Sequence, residues 1–253
     1  MTVSTMLSLL SEGFVTSLLI FALTLLFSMP LGLAVMFGRR SRLTPLRGFI
    51  KAYISIMRGT PLMLQLMVVF YGPKLLLGVT VPGNWRFTAV IVAFVINYAA
   101  YFAEIYRGGI ESIPRGQYEA AQVLGYTKAQ TFFKIILPQM VKRVIPAVTN
   151  EVITLVKDTS IARIISMQEL IYSGYAFLKG SHGYSGLLWP IFFTGVYYLA
   201  FNGILTLLFG RIEKRQYPPR MTPHLRQEIM KAEIYKARLK FLQENNITTA
   251  DDL

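Results

Sequence analysis

Glu151, Thr154 and Asp158 stand three and four residues apart, a spacing that stacks two carboxylates and a hydroxyl on one face of a helix. The stretch around them, Val144 to Ile165, is apolar enough to be read as membrane-spanning, and there an ionisable side chain is costly and marks a functional candidate. An unpaired Glu151 carboxylate has to face a wet cavity or a partner; the bland alternative is a salt bridge or interhelical hydrogen bond that holds the bundle. Asp158 is suited to an amino group, and Thr159 and Ser160 supply hydroxyl donors for a carboxylate. Equally, Lys157 and Asp158 are read as interfacial charges that pair or snorkel. Elsewhere Asn97 is either a path residue or an interhelical bond, Glu104 is a path residue or a local ion pair with Arg107, and Gln65 needs a polar partner.

The elements that must position these residues follow from composition. The 253-residue chain is 53% hydrophobic and 15% charged, with a mean hydropathy of +0.46, which is the composition of a membrane protein. Five spans are expected, at about 14–37, 55–74, 87–106, 144–165 and 187–209, in an all-α fold. The fourth is the least apolar, because it carries Asn150, Glu151, Lys157 and Asp158, and a hydropathy window alone could miss it. No Lys or Arg precedes Arg39, so the first span is expected to be retained rather than cleaved as a signal peptide. With no cysteine, disulfides, thiolate metal sites and thiol nucleophiles are excluded.

The net charge of +13 would suggest nucleic acid in a soluble domain, but here the basic residues lie in blocks between apolar runs. Six fall from Arg39 to Arg58, six from Arg107 to Arg143 and nine from Arg211 to Lys240, against five elsewhere. The positive-inside rule then puts the N-terminus outside, and the 115–138 loop and the C-terminus in the cytoplasm.

That loop is the second constellation. Gln117 to Thr127 reads as a short amphipathic helix, preceded by Pro114 and ended at Gly125 or shortly after, thin because of Ala120 and Ala121. Glu119 is expected in its first turn, at the positive end of the helix dipole. Leu124 belongs to its apolar face, Ile135 and Leu137 follow, and Pro138 is expected to mark a kink toward the fourth span. The helix is the right width to enter a cleft on a partner.

Glu119-Ala120-Ala121, Gly125 and Ile135-Ile136-Leu137-Pro138 together resemble the coupling loop of permease subunits in ATP-binding-cassette (ABC) importers. Arg58-Gly59-Thr60-Pro61 with Gln65, and Asn150-Glu151-Val152-Ile153 with Lys157-Asp158-Thr159-Ser160, resemble the polar amino acid uptake branch of that family, and the likeness covers roughly residues 10–215. The resemblance implies a type I ABC importer permease fold in a prokaryotic cell membrane and a second permease subunit. It also implies an ABC ATPase dimer and an extracytoplasmic amino acid binding protein. A glutamate after asparagine at 150–151 fits permeases for basic amino acids. No G-x-x-x-x-G-K-[ST] pattern is present, so ATP and magnesium are expected on the separate ATPase and no cofactor on this chain.

After Tyr217-Pro218-Pro219, Leu225, Ile229, Ala232, Leu239 and Leu242 recur at helical spacing among basic residues, which predicts an amphipathic cytoplasmic helix at about 222–243. An intramembrane enzyme would need a catalytic pair, yet His182 and His224 both lie outside the spans. A permease for another small solute, such as an opine or glutamine, is the alternative within transport. A membrane anchor or sensor that does not transport would need neither the loop pattern nor the buried charges.

Overall fold

The structure, a computed structural model, describes residues 3–179 and 188–216, and the helix expected at 222–243 lies outside them. The chain divides into a unit of residues 1–210 and a second of residues 211–253. Within the first, every described element is helical. Helix α1 spans Val3–Arg39, so it begins well before residue 14, the expected start of the first span. Among the described residues three helices are long and apolar enough to cross a membrane: α1, α4 (Trp85–Glu111) and α9 (Leu188–Gln216).

The span expected at 55–74 is not one helix. It is α2 (Thr44–Gly59) and α3 (Leu62–Leu77), bent by 109° at Thr60-Pro61, and the pair counts as a fourth candidate span if taken together. Pro61 has no N–H to give the preceding turn, and its ring pushes Thr60 out of the helical region, to φ −122° and ψ 147°. The Thr60 hydroxyl does not cap the following helix; it donates to Ile56 O at 2.8 Å and closes α2. Pro61 itself is the residue flanking α3 rather than its first turn.

Helix α4 sits at the middle of the first unit, buried on most sides and packed against α1, α2, α3 and α7 (Leu137–Asp158). Between apolar helices in lipid, association comes from close van der Waals fit rather than from water exclusion, and small residues permit it. Gly32 shows how close: a Cβ there would lie 2.7 Å from Phe102 Cβ and 3.0 Å from Ala99 O. Ala93, Ala99, Ala100 and Ala103 are all buried along α4.

The cytoplasmic-loop candidate folds as α5 (Arg115–Val123), then a turn of helix α6 (Lys128–Gln130) that runs without a break through a π-helical turn, Thr131–Ile136, into α7. Thr127 caps it through a reciprocal capping box, its hydroxyl accepting from Gln130 N and its own N–H donating to Gln130 Oε1. Pro138 therefore does not break the helix. Lacking an N–H and crowding the carbonyl four residues back, it is met by the widened π turn, with Leu137 N bonded to Phe132 O.

Helix α7 continues into a 3₁₀ segment, Thr159–Ile165, so the stretch expected at 144–165 is helical but belongs to a longer element that starts at Leu137, and its hydropathy does not qualify it as a span. An unexpected helix, α8 (Leu170–Lys179), packs against α1 with Gly13 at the contact: a Cβ there would come within 2.9 Å of Glu169 O.

Candidate functional site

The acidic face of α7 meets α4 through one hydrogen bond. Tyr98, 2% exposed, donates its hydroxyl to Asp158 Oδ2 at 2.7 Å. Glu151 and Asp158 are both half-buried, and neither forms an ion pair among the described residues. Seven residues of helix separate them, two turns or about 10 Å along the axis. Lys157 and Asp158 are expected to pair or snorkel; Lys157 is exposed and makes no ion pair with Asp158. Thr154, between the two carboxylates, and Asn150 are exposed. The hydroxyls that follow are already engaged: Thr159 Oγ1 donates to Val156 O at 2.8 Å and Ser160 Oγ to Lys157 O at 2.7 Å. A substrate carboxylate would reach their protons only by displacing those bonds.

Asn97 and Gln65 occupy the bend between α2 and α3. Asn97 Nδ2 donates to Gln65 Oε1 at 2.9 Å and to Met57 O at 3.1 Å, while Gln65 Nε2 donates to Met57 O, Thr60 O and Thr60 Oγ1 at 3.0, 3.1 and 2.8 Å. The carbonyls that a proline break leaves without helical partners are thus satisfied by two side-chain amides. Both polar residues hold the bend together, and Asn97 is 4% exposed.

Glu104 is the centre of an ion cluster rather than a lone carboxylate. Arg39 of α1 bonds its Oε1, Arg107 donates to Oε2 through Nε at 3.1 Å and Nη2 at 2.9 Å, and Arg58 of α2 approaches to 3.8 Å. Arg107 also pairs with Glu111, and Arg58 lies 5.4 Å from the Tyr101 ring. The expected Arg107 pair is present, joined by two arginines from other helices. The cluster ties the ends of α1, α2 and α4 together.

In the loop, Gly125 has φ +74° and no atom within 4 Å of a Cβ placed there. It closes a Schellman turn, with Tyr126 N bonded to Ala121 O and Gly125 N to Gln122 O, both at 3.0 Å. Ala121 faces inward, whereas Glu119, Ala120, Val123 (88% exposed) and Leu124 (71%) form an outer face that no other described residue covers. Because α5 starts at Arg115 and not at residue 117, Glu119 lies in its second turn, beyond the strongest reach of the helix dipole. Ile135 and Leu137 are half-buried in and after the π turn, and Pro138 is exposed.

Two participants escaped the sequence reading. Tyr98 carries no sequence signal, since a tyrosine within an apolar span looks like core. Glu169 caps α8, its carboxylate accepting from Ile171 N at 2.8 Å and Tyr172 N at 2.7 Å while 0% exposed, and burial pushes its carboxyl up to about 7. Glutamate is not among the favoured capping residues, which hid it.

Residues 28–216 match the family described as "Binding-protein-dependent transport system inner membrane component". The arginine transport system permease protein ArtQ of Bacillus subtilis is 34% identical over 204 residues, covering 81% of this chain and 90% of the relative. The octopine transport system permease protein OccM of Rhizobium radiobacter is 36% identical, covering 79% and 84%. The L-cystine transport system permease protein TcyB of Bacillus subtilis is 40% identical, covering 64% and 67%. Among solved structures, a chain of an amino acid ABC transporter crystallised with histidines superposes with a TM-score of 0.76 at 30% identity, covering 85% of this chain and all of that one. A chain of the MetNI methionine ABC transporter in an inward-facing conformation superposes at 0.64 with 19% identity, a likeness of fold.

Proposed function

Because the chain belongs to the family of binding-protein-dependent transport system inner membrane components, we propose that it forms the translocation path of an ATP-driven importer for basic amino acids. An ABC importer permease for amino acids is what its relatives are, among them the permeases named for arginine, cystine and octopine transport. The step to basic substrates rests on one observation: Glu151 and Asp158 share a face of α7, half-buried, with no cation paired to either among the described residues. A guanidinium or ammonium side chain at Glu151 and an α-ammonium at Asp158 would neutralise both, and the Tyr98 hydroxyl holds the second carboxylate in place.

In this reading the helices cross the membrane five times, with α2–α3 as one bent span and α7 with its 3₁₀ extension as another. The N-terminus is outside and the chain after α9 is in the cytoplasm, in a prokaryotic plasma membrane. The outer face of α5, with Glu119, Ala120 and Leu124, docks to an ABC ATPase dimer that carries the ATP and magnesium. A second permease subunit completes the path, and an extracytoplasmic binding protein delivers the amino acid. Docking moves α5, and the continuous helix from Lys128 to Asp158 carries that motion to the acidic face.

The test is uptake by the reconstituted complex with its binding protein, comparing wild type with Glu151→Gln. A charge-assisted hydrogen bond contributes about 1.5–3 kcal/mol, so arginine or lysine uptake at subsaturating substrate is expected to fall by at least about tenfold. Retention of the ATPase should not change. Unaltered cationic uptake would overturn the assignment and leave a neutral or different polar solute, glutamine or an opine, as the cargo.

A further inference from the structure

A cleft of about 720 Å³ opens between the end of α1, α4 and the inner side of α5, the size of a small-molecule site. We propose that it binds the phosphate-bearing headgroup of an anionic phospholipid of the cytoplasmic leaflet. The inference rests on the orientation proposed above.

Two cations line the cleft, Arg40 from the end of α1 and Lys128 from the first turn of α6, and neither has an ion pair among the described residues. The contrast with Arg39 is informative. Arg39, the last residue of α1, is consumed by Glu104, whereas Arg40, next in the chain, faces a cavity with no carboxylate among the described residues that line it. Tyr118 and Tyr126 add hydroxyls to the lining, a donor set suited to phosphate oxygens.

Depth selects the source of the phosphate. Phe14 to Phe37 holds no charge, so Arg39 and Arg40 mark the level where hydrocarbon ends and headgroups begin. At that level the cleft has an apolar lip: Phe37, 49% exposed, and Phe132 stand with ring centroids 6.4 Å apart. A free phosphate would satisfy the cations and leave this lip uncovered. A phospholipid satisfies both, with its first acyl carbons against the rings. The ATPase is expected on the other side of α5, since Val123 and Leu124 do not line the cleft while Tyr118 and Gln122 do. A bound lipid would therefore brace α5 from behind as the motor pushes on its front.

The experiment is native mass spectrometry of the purified permease–ATPase complex, stripped of lipid and titrated with phosphatidylglycerol, phosphatidylcholine or inorganic phosphate. Wild type is expected to retain phosphatidylglycerol and not phosphatidylcholine. Arg40→Gln with Lys128→Gln should weaken that retention about thirtyfold, about fivefold for each charge lost. Arg40→Lys with Lys128→Arg should restore it, and loss of retention in this charge-conserving pair would overturn the proposal. So would equal phosphatidylglycerol binding in the glutamine pair, or its full displacement by inorganic phosphate. Retention by the permease alone that disappears when the ATPase is added would assign the cleft to an acidic surface of the motor instead. The orientation is read separately: with no native cysteine, Ser41→Cys should resist an impermeant thiol reagent in intact cells. Labelling there would sink the orientation without altering the lipid count.

Discussion

Replacing Gly125 isolates the geometry of the docking turn from its packing. The glycine sits at φ +74°, and a Cβ at this position would find no atom within 4 Å, so Gly125→Ala introduces no clash. What it introduces is the cost of a left-handed conformation for an L-residue, about 1–2 kcal/mol. The Schellman bonds from Tyr126 N to Ala121 O and from Gly125 N to Gln122 O exist only while that conformation holds. If the ATPase recognises the closed end of α5, its apparent affinity falls with the population of the closed turn, about five- to thirtyfold for alanine. Asparagine tolerates the left-handed region, so Gly125→Asn should lose markedly less. The assay is a titration of purified ATPase onto immobilised permease, with ATP hydrolysis by the complex as a second readout. Indistinguishable binding by the alanine variant, or asparagine as damaging as alanine, would refute the role of the turn. Leu124→Ser provides the complement, because a side chain 71% exposed has no packing to lose: ATPase retention should drop while the thermal stability of the permease alone stays unchanged.

Gly32→Val drives a side chain into Phe102 and the Ala99 carbonyl, and separating α1 from α4 should cost more than 2 kcal/mol, seen as a fall in melting temperature in detergent. Tyr98→Phe removes the hydroxyl held at 2.7 Å by Asp158, and a carboxylate left short of a partner costs about 1–3 kcal/mol; KM for a basic amino acid should rise while ATPase retention is unaffected. Glu169 is raised from an ordinary 4.5 to about 7 by burial, so its contribution is fully present below pH 4.5 and is lost as pH rises through 7. The difference is of order 3 kcal/mol, and Glu169→Gln should flatten the decline in melting temperature between pH 5 and pH 8.

What the sequence made legible follows a physical division. Long uncharged runs announce themselves, which is why α1, α4 and α9 were readable, and Gly125 at the end of a short amphipathic run marked the close of α5. The bend at Thr60-Pro61 was present as a residue pair, yet a hydropathy window averages across it and reports one span. Its repair by Asn97 and Gln65 is tertiary and has no local signature. Glu104 illustrates the same limit: Arg107, three residues on, was predictable, but Arg39 and Arg58 reach it only because three helix ends converge. The Thr127–Gln130 capping box was written in the sequence as T-x-x-Q and would have shown that a helix restarts there. Helix α8 is too short for a span and is capped by a residue type that seldom caps, so neither period nor punctuation revealed it.

The π turn at Thr131–Ile136 sets a rotational phase. From Lys128 to Asp158 the chain is a single helical rod, about 45 Å long, with the docking loop at one end and the acidic face at the other. Each residue advances such a rod by roughly 100°, so deleting one residue from the π turn would rotate the acidic face relative to the docking loop and carry Asp158 away from Tyr98. The extra residue behaves like the keyway on a drive shaft. It leaves the two ends chemically independent, yet fixes the angle at which one is mounted relative to the other, so length changes in this segment should be far less tolerated than substitutions.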